Sequence, residues 1–155
     1  LVFIFFGLFA TVGTTVVQTH STPWWLWVAA SGIGIASVSL LMVNNLRDIP
    51  TDTVAGKRTV AVRLGDRASR VTYVILLVIS AGLSAVAAAG TGASWPWTLA
   101  VGGVLALAAA PGAVQVLSGA RGSALLSTLR NTGLYTLAYG VVLSAVFTLG
   151  APDAL

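Results

Sequence analysis

The sequence contains no cysteine and a single histidine, His20, so disulfide bonds, thiolate metal centres and histidine-rich metal sites are excluded. Charge is scarce: 8% of the 155 residues are charged, against roughly 25% in an ordinary soluble domain, whereas 57% are apolar. This composition excludes a soluble globular domain and a disordered chain. The net charge of +4 comes without a Lys/Arg-rich run interleaved with aromatic residues, so no nucleic-acid partner is expected.

Five stretches free of charge are long enough, or nearly so, to cross a membrane. Roughly 20 apolar residues span a hydrocarbon core about 30 Å thick. Backbone groups in lipid must bond within their own segment, which favours helices. The sequence therefore predicts an all-α fold, a polytopic transmembrane helix bundle with five spans. These are residues 1–17, 24–43, 71–90, 97–117 and 132–150.

The connecting segments divide by charge. All eight Lys and Arg lie in 44–70 and 118–131, while 18–23 and 91–96 carry none. The positive-inside rule therefore places the segment 44–70, the motif loop, in the cytoplasm. All five tryptophans lie at the opposite boundary, as an interfacial belt would. Because the chain begins inside an apolar run without Met or a basic flank, we interpret it as the C-terminal part of a larger membrane protein.

The motif loop begins with a pair of acids. Asp48 and Asp52 are spaced i, i+4, so on a helix they share one face, with Asn44 one turn earlier and Asn45 beside it. Pro50 is expected to kink or unwind the helix end. Two carboxylates at a membrane edge need a compensating cation, and hard oxygen ligands suit Mg²⁺ together with substrate phosphates.

Basic residues surround this pair. Lys57 and Arg58 follow it, and Arg47 precedes Asp48, so a phosphorylated substrate could lie between a metal and these cations. The same residues also allow a purely structural interpretation, in which Asp48–Arg47 and Asp52–Lys57 are interfacial salt bridges. Spacing by itself leaves both interpretations open for Lys57 and Arg58.

Other polar residues of the sequence receive structural interpretations. Arg63, Arg67 and Arg70 are expected to be positive-inside residues that extend their charges to the interface. Asp66 is expected to cap the following span, and Asn131 to cap the last one. Thr59–Leu64 is expected to form a short helix or turn at the interface. Contacts between helices are expected for Gln115, Tyr135 and Tyr139.

The string NNLRDIPTDTVAGKRTVAVRLG, residues 44–65, resembles the second aspartate-rich motif of the UbiA superfamily of intramembrane prenyltransferases. That pattern is an Asp-x3-Asp pair followed by a Gly, a basic residue, a Thr and a closing Gly. Within the superfamily, the full string is similar to the branch that acts in bacterial menaquinone biosynthesis. The opening LVFIFFGLFATVGTTVVQ resembles the span before the motif, and spans after residue 70 match only in character and number.

The resemblance implies a nine-helix membrane fold, of which this chain holds the last five helices. The family uses two aspartate-rich motifs to hold Mg²⁺ and a prenyl diphosphate. The first motif would lie in a missing N-terminal half, so the chain would carry half a site and be inactive alone. The resemblance also implies a bacterial plasma-membrane location.

The activity implied by the resemblance is Mg²⁺-dependent transfer of a polyprenyl group from polyprenyl diphosphate to an aromatic acceptor, 1,4-dihydroxy-2-naphthoate, with loss of CO₂. The metal ligands would be Asp48 and Asp52. The diphosphate would contact the basic residues, and the two asparagines would have auxiliary roles. The basic residues are Lys57, Arg58 and Arg47, and the asparagines are Asn44 and Asn45.

Three alternatives compete with this function. Another member of the family would use a different acceptor, such as 4-hydroxybenzoate, homogentisate or a chlorophyll precursor. A CDP-alcohol phosphatidyltransferase would need a preceding Asp-x2-Asp-Gly and Ala-Arg pattern, which four acids cannot supply. A non-enzymatic membrane subunit or half-transporter would use the spans for packing, and a transporter should show ionisable or broken-helix features near the bilayer midplane.

Overall fold

The computed structural model describes residues 1–149. Five helical elements follow one another, and no strand occurs in this range, so the all-α prediction is confirmed. A 3₁₀ turn, Gly122–Ala124, precedes the last helix. The helices are α1 (π-helical Phe3–Gly13 followed by α-helical Thr14–Thr19), α2 (Trp24–Val54), α3 (Val60–Gly90), α4 (Trp95–Leu117) and α5 (Leu125–Leu149).

The three central helices, α2, α3 and α4, are long and apolar enough to cross a membrane. The 31 residues of α2 or α3 extend about 46 Å at 1.5 Å per residue, well beyond a hydrocarbon core. The excess length carries the chain out of the lipid at one end. The protein is therefore a multi-pass membrane protein. For α1, which is shorter, and for α5, spanning stays a prediction, and residue 150 of the last predicted span lies outside the described range.

Helices α2 and α3 form the centre of the bundle. Helices α1 and α5 pack against α2, and α4 packs against α3 and α5. The contact of α1 with α2 depends on glycine, because a Cβ atom on Gly7 would lie 2.6 Å from the Cα atom of Gly34. Only a residue without a side chain allows the two backbones to approach this closely.

Hydrogen bonds in the apolar interior attach α5 to its neighbours. The Tyr135 hydroxyl donates to Ser80 Oγ (2.8 Å), which donates to the Gly32 carbonyl oxygen (2.8 Å), and the Tyr139 hydroxyl donates to the Ala29 carbonyl oxygen (3.1 Å). Both tyrosines are at most 2% exposed. Their expected role in contacts between helices is confirmed, since polar groups in a membrane interior need such partners.

The tryptophans lie near the starts of α2 and α4, at the end opposite the acidic pair. Most of them are exposed, as residues of an interfacial belt are: Trp24, Trp27, Trp95 and Trp97. Trp25 differs, because it is buried and its ring centroid lies 4.6 Å from that of Phe147 on α5. The belt therefore contains one residue that serves packing.

The predicted motif loop, 44–70, is largely helical. Helix α2 continues through Pro50 to Val54, so the expected unwinding there is wrong. Proline removes only one backbone donor, so α2 loses a single intrahelical bond and continues for four more residues. The Thr51 and Thr53 hydroxyls on this turn donate to the Asp48 and Ile49 carbonyl oxygens. The irregular connection is limited to residues 55–59.

Helix α3 has a break close to its start. Gly65 has φ of 78° and ψ of 170°, which separates a short turn, Val60–Leu64, from the long helix that follows. The short turn confirms the expected local structure of this segment, and its position at the membrane interface stays a prediction. The helix is capped by Thr59, whose Oγ1 accepts from the backbone N–H of Val62 at 3.3 Å. Asp66 follows this break, but its carboxylate accepts from the Arg70 guanidinium instead of a backbone N–H, so its expected capping role is wrong.

Candidate functional site

The acidic pair lies on the final turns of α2. Residues four apart on a helix have Cβ atoms about 6 Å from one another, so Asp48 and Asp52 share one face. Asn44 and Asn45 are partly buried on the preceding turn. The end of the bundle where α2 and α4 finish and α3 and α5 start is called the acidic end below.

Asp48 forms a forked ion pair with its neighbour in the chain. Arg47 Nε donates to Asp48 Oδ1 at 2.7 Å, and Arg47 Nη2 donates to Oδ2 at 3.0 Å. The hydrogen bonds from Arg47, reinforced by its charge, hold the pKa of the Asp48 carboxyl below its usual range, although partial burial opposes them. Asp48 is therefore an ionised carboxylate whose two oxygens face a guanidinium.

Asp52 has a different environment. Its side chain is only 10% exposed, and its cation partner is Lys57, whose Nζ lies 3.3 Å from Asp52 Oδ1. The Lys57 side chain is 67% exposed. The Lys57 backbone N–H also donates to the Asp52 carbonyl oxygen at 2.9 Å, which turns the chain back over the helix end. A nearly buried carboxylate with one long ion-pair contact has capacity for another cation.

The predicted cations divide into two groups. The structure brings Arg47 and Lys57 to the carboxylates, as both interpretations of the sequence require. Arg58 is exposed in the connection after α2, and within the described residues it forms no ion pair with either Asp. Arg63 and Arg67 are exposed as well.

Arg70 contradicts its predicted role as an interfacial charge, because it is buried at 7% exposure. Its Nε and Nη2 donate to the two oxygens of Asp66, at 2.7 and 2.9 Å. Its Nη1 donates to the Val116 carbonyl oxygen at 2.6 Å, and Nη2 also donates to that of Ala120 at 2.9 Å. The i, i+4 spacing of Asp66 and Arg70 was visible in the sequence, whereas the carbonyl partners at the end of α4 were not.

Gln115 connects α4 to α5 close to this point. Its Nε2 donates to Ser127 Oγ at 3.0 Å, and its Oε1 accepts from Thr128 Oγ1 at 3.1 Å and from Asn131 Nδ2 at 3.2 Å. The predicted hydrogen bonding between helices is confirmed for Gln115. The predicted capping role of Asn131 is wrong, because α5 begins at Leu125 and Asn131 lies on its second turn.

The ion pair of Asp66 should make stability depend on pH in the acid range. Hydrogen bonds from Arg70, aided by its charge and that of Arg121, hold the pKa of Asp66 below its usual range, while partial burial opposes them. A carboxyl group whose pKa is lower in the folded than in the unfolded protein adds stability at any pH above its unfolded-state pKa. This stability is lost as the pH falls below about 4. We expect Asp66→Asn to be less stable at neutral pH and to lose less on acidification. Thermal unfolding in detergent between about pH 6 and pH 3 measures this, and equal losses in both proteins would contradict it.

The donor chemistry of the acidic pair suits a hard divalent cation. Asp48 and Asp52 offer only oxygen donors, which suit Mg²⁺, an ion that takes one or two carboxylates and keeps water or substrate phosphates as its other ligands. Within residues 1–149 no group of three or more His, Cys, Asp or Glu side chains could hold a metal. The two residues therefore fit an ion shared with a phosphate ligand, and they do not form a closed protein cage.

These features define the class of the protein: a multi-pass α-helical membrane protein with a carboxylate pair and nearby cations at one end of its bundle. The sequence model of the UbiA prenyltransferase family matches residues 1–131. The chain belongs to this family. No solved structure is significantly similar to the chain.

Curated relatives agree with this family. A 1,4-dihydroxy-2-naphthoate octaprenyltransferase of Mycobacterium tuberculosis is 40% identical over 149 residues, which are 96% of this chain and 49% of that protein. A protein of the same name from Mycobacterium leprae is 41% identical over 148 residues, again 96% and 49%. A third, from Haemophilus influenzae, is 44% identical over 94 residues, 61% of this chain and 30% of that protein. The chain spans about half the length of the mycobacterial relatives.

Proposed function

We propose that the protein containing this chain transfers a polyprenyl group from polyprenyl diphosphate to 1,4-dihydroxy-2-naphthoate, giving the reduced (quinol) form of demethylmenaquinone, diphosphate and CO₂. The observation that carries the proposal is the Asp48–Asp52 pair beside Lys57, in a chain that is 40% identical over 149 residues to a 1,4-dihydroxy-2-naphthoate octaprenyltransferase. The proposal also places the acidic end in the cytoplasm of a bacterium and the bundle in its plasma membrane.

The carboxylates supply the binding of the metal. Asp52, which is nearly buried and has one long ion-pair contact, would be the stronger ligand of the metal. Asp48 would be the second ligand, either keeping part of its contact with Arg47 or losing it when the metal binds. When bound, Mg²⁺ supplies positive charge that stabilises the negative charge of the departing diphosphate. A first aspartate-rich motif, in the half of the relatives that this chain does not cover, would complete the site.

The basic residues act on the diphosphate. Lys57 is exposed and already adjacent to Asp52, so its ammonium would neutralise charge as the allylic C–O bond breaks and its electron pair leaves with the diphosphate. Arg47 would add a second cation, since its guanidinium lies next to Asp48. Arg58 is exposed and, within residues 1–149, forms no ion pair with either carboxylate. It would therefore approach the diphosphate only when this substrate binds.

The apolar helices protect the reaction. The allylic cation left by diphosphate departure reacts readily with water, and a water-free bundle interior would exclude this side reaction. A ring carbon of the acceptor forms the new C–C bond to the prenyl C1 atom, and the carboxyl group of the acceptor leaves as CO₂. Asn44 and Asn45, on the turn before Asp48, would provide further polar contacts at the same face.

The test of this function is an acceptor comparison with the purified full-length protein. Polyprenyl diphosphate and Mg²⁺ are supplied with 1,4-dihydroxy-2-naphthoate, 4-hydroxybenzoate or homogentisate in separate reactions. We expect prenylated, decarboxylated product from the naphthoate and at most trace product from the others. Faster transfer to another aromatic acceptor would keep the family chemistry and reject the naphthoate assignment, and no transfer to any acceptor would reject the proposal.

A further inference from the structure

We propose that Arg70 is a positioning residue for the acidic pair, and that its contacts fix where Asp52 and Lys57 lie relative to one another. This inference rests on the proposed function of the pair as a binding site for metal and diphosphate. Arg70 lies outside the aspartate-rich motif, five residues after its closing Gly65. Its role follows from two structural supports, one made by its guanidinium and the other by its chain neighbour Ser69.

The guanidinium is held in one position. Each of its three nitrogens donates to a fixed acceptor, either Asp66 or a carbonyl oxygen at the end of α4. A buried arginine is costly unless its donors are satisfied, so this arrangement resists rotation of the side chain. Positive charge at the C-terminus of α4 is also favourable, because unpaired carbonyls concentrate negative charge there.

The first support runs from Arg70 through α4 to α2. Arg70 binds the carbonyl oxygens of Val116 and Ala120, which flank the start of the α4–α5 connection. The 3₁₀ turn of that connection contacts α2. The side chains of Val116 and Ala120 pack in the same hydrophobic core as Leu46 and Ile49 of α2, which adjoin Arg47 and Asp48 in the chain. The position of this connection therefore affects the end of α2 that carries both acids.

The second support runs from Arg70 along the chain to Lys57. The short turn Val60–Leu64 is attached to the long part of α3 across the break at Gly65. The attachment is made by Ala61, which is fully buried and whose carbonyl oxygen accepts from Ser69 Oγ at 3.4 Å. Ser69 immediately precedes Arg70, so movement of this part of α3 would displace the turn and, with it, Lys57.

The experiment compares Arg70→Met and Arg70→Lys with Tyr73→Phe in the full-length protein. Tyr73 is a buried residue of the same helix, one turn further on, whose hydroxyl bonds to Thr132 Oγ1 at 2.7 Å. Removing this hydroxyl reduces stability without touching the two supports. Binding of farnesyl diphosphate is measured by calorimetry over a series of MgCl₂ concentrations, and kcat and KM are measured with the same donor.

We expect Arg70→Met to weaken Mg²⁺-dependent diphosphate binding by roughly 10- to 100-fold, the range found when residues that orient metal ligands are replaced. KM should rise by more than kcat falls. The affinity of Arg70→Lys for the diphosphate should lie between those of the unsubstituted protein and Arg70→Met, because lysine keeps the charge and loses the forked hydrogen bonds to Asp66. Tyr73→Phe should lower the unfolding temperature and leave binding within about two-fold, well short of that range.

Unchanged diphosphate binding in Arg70→Lys and Arg70→Met, or a change no larger than in Tyr73→Phe, would overturn the positioning role. If Arg70→Met does not fold, Asp66→Asn replaces it, since this variant loosens the guanidinium and keeps its carbonyl acceptors. Absence of Mg²⁺-dependent binding in the unsubstituted protein would overturn the proposed function itself, a result distinct from equal binding in all variants.

Discussion

Asp52→Asn in the full-length protein is expected to lower prenyl transfer by roughly 10²- to 10³-fold, the loss typical when one preorganised charge-stabilising group is removed. The substitution keeps the size of the side chain and removes the charge that a metal would need. Asp52 should be the more sensitive of the pair because it is nearly buried, with one long ion-pair contact to Lys57. Initial rates with saturating acceptor measure the effect.

Two further variants separate loss of a ligand from loss of the fold. Asp48→Asn should reduce the rate as well, since it removes the second carboxylate and leaves Arg47 without its forked partner. Arg67→Gln is the matched control, because Arg67 is an exposed charge of the same segment and has no role in the proposed site. We expect near-normal turnover for Arg67→Gln. A loss of rate as large as that of the Asp48 and Asp52 variants would mean that the overall charge of the acidic end matters and not the two carboxylates.

The fold was predictable to the extent that it depends on composition. Long charge-free stretches predicted the helices. The arginines on one side and the tryptophans on the other predicted which ends of α2, α3, α4 and α5 lie together. The helix ends were less predictable, because Pro50 usually indicates a break and here lies within a continuing helix. Where a helix ends depends on local backbone hydrogen bonds, which hydropathy does not report; at the end of α2 the Ala55 N–H donates to the Thr51 carbonyl oxygen.

The candidate site, like the fold, could be predicted only in part from the sequence. The spacing of Asp48 and Asp52 indicated a shared face from the sequence, and the helix agrees with it. Arg70 could not be assigned correctly, because a buried arginine and an interfacial arginine look alike in a sequence. The difference comes from carbonyl oxygens 46 and 50 residues further along the chain, at Val116 and Ala120.

Removal of divalent cations is expected to have an effect as large as any substitution. The two carboxylates face Arg47 and Lys57, so the protein can keep its fold with these ion pairs when no metal is bound. Binding of the diphosphate, however, requires more positive charge than the two side chains supply in the proposed site. Chelation should therefore stop the reaction and leave thermal unfolding nearly unchanged.

The most direct measurement is prenyl transfer by the intact protein after chelation with EDTA, followed by titration with MgCl₂. Loss of product formation and its saturable recovery on adding Mg²⁺, with Asp52→Asn recovering little at any concentration, is the predicted result. Product formation that continues at an undiminished rate in excess chelator would contradict the assignment of Asp48 and Asp52 as ligands of a divalent ion.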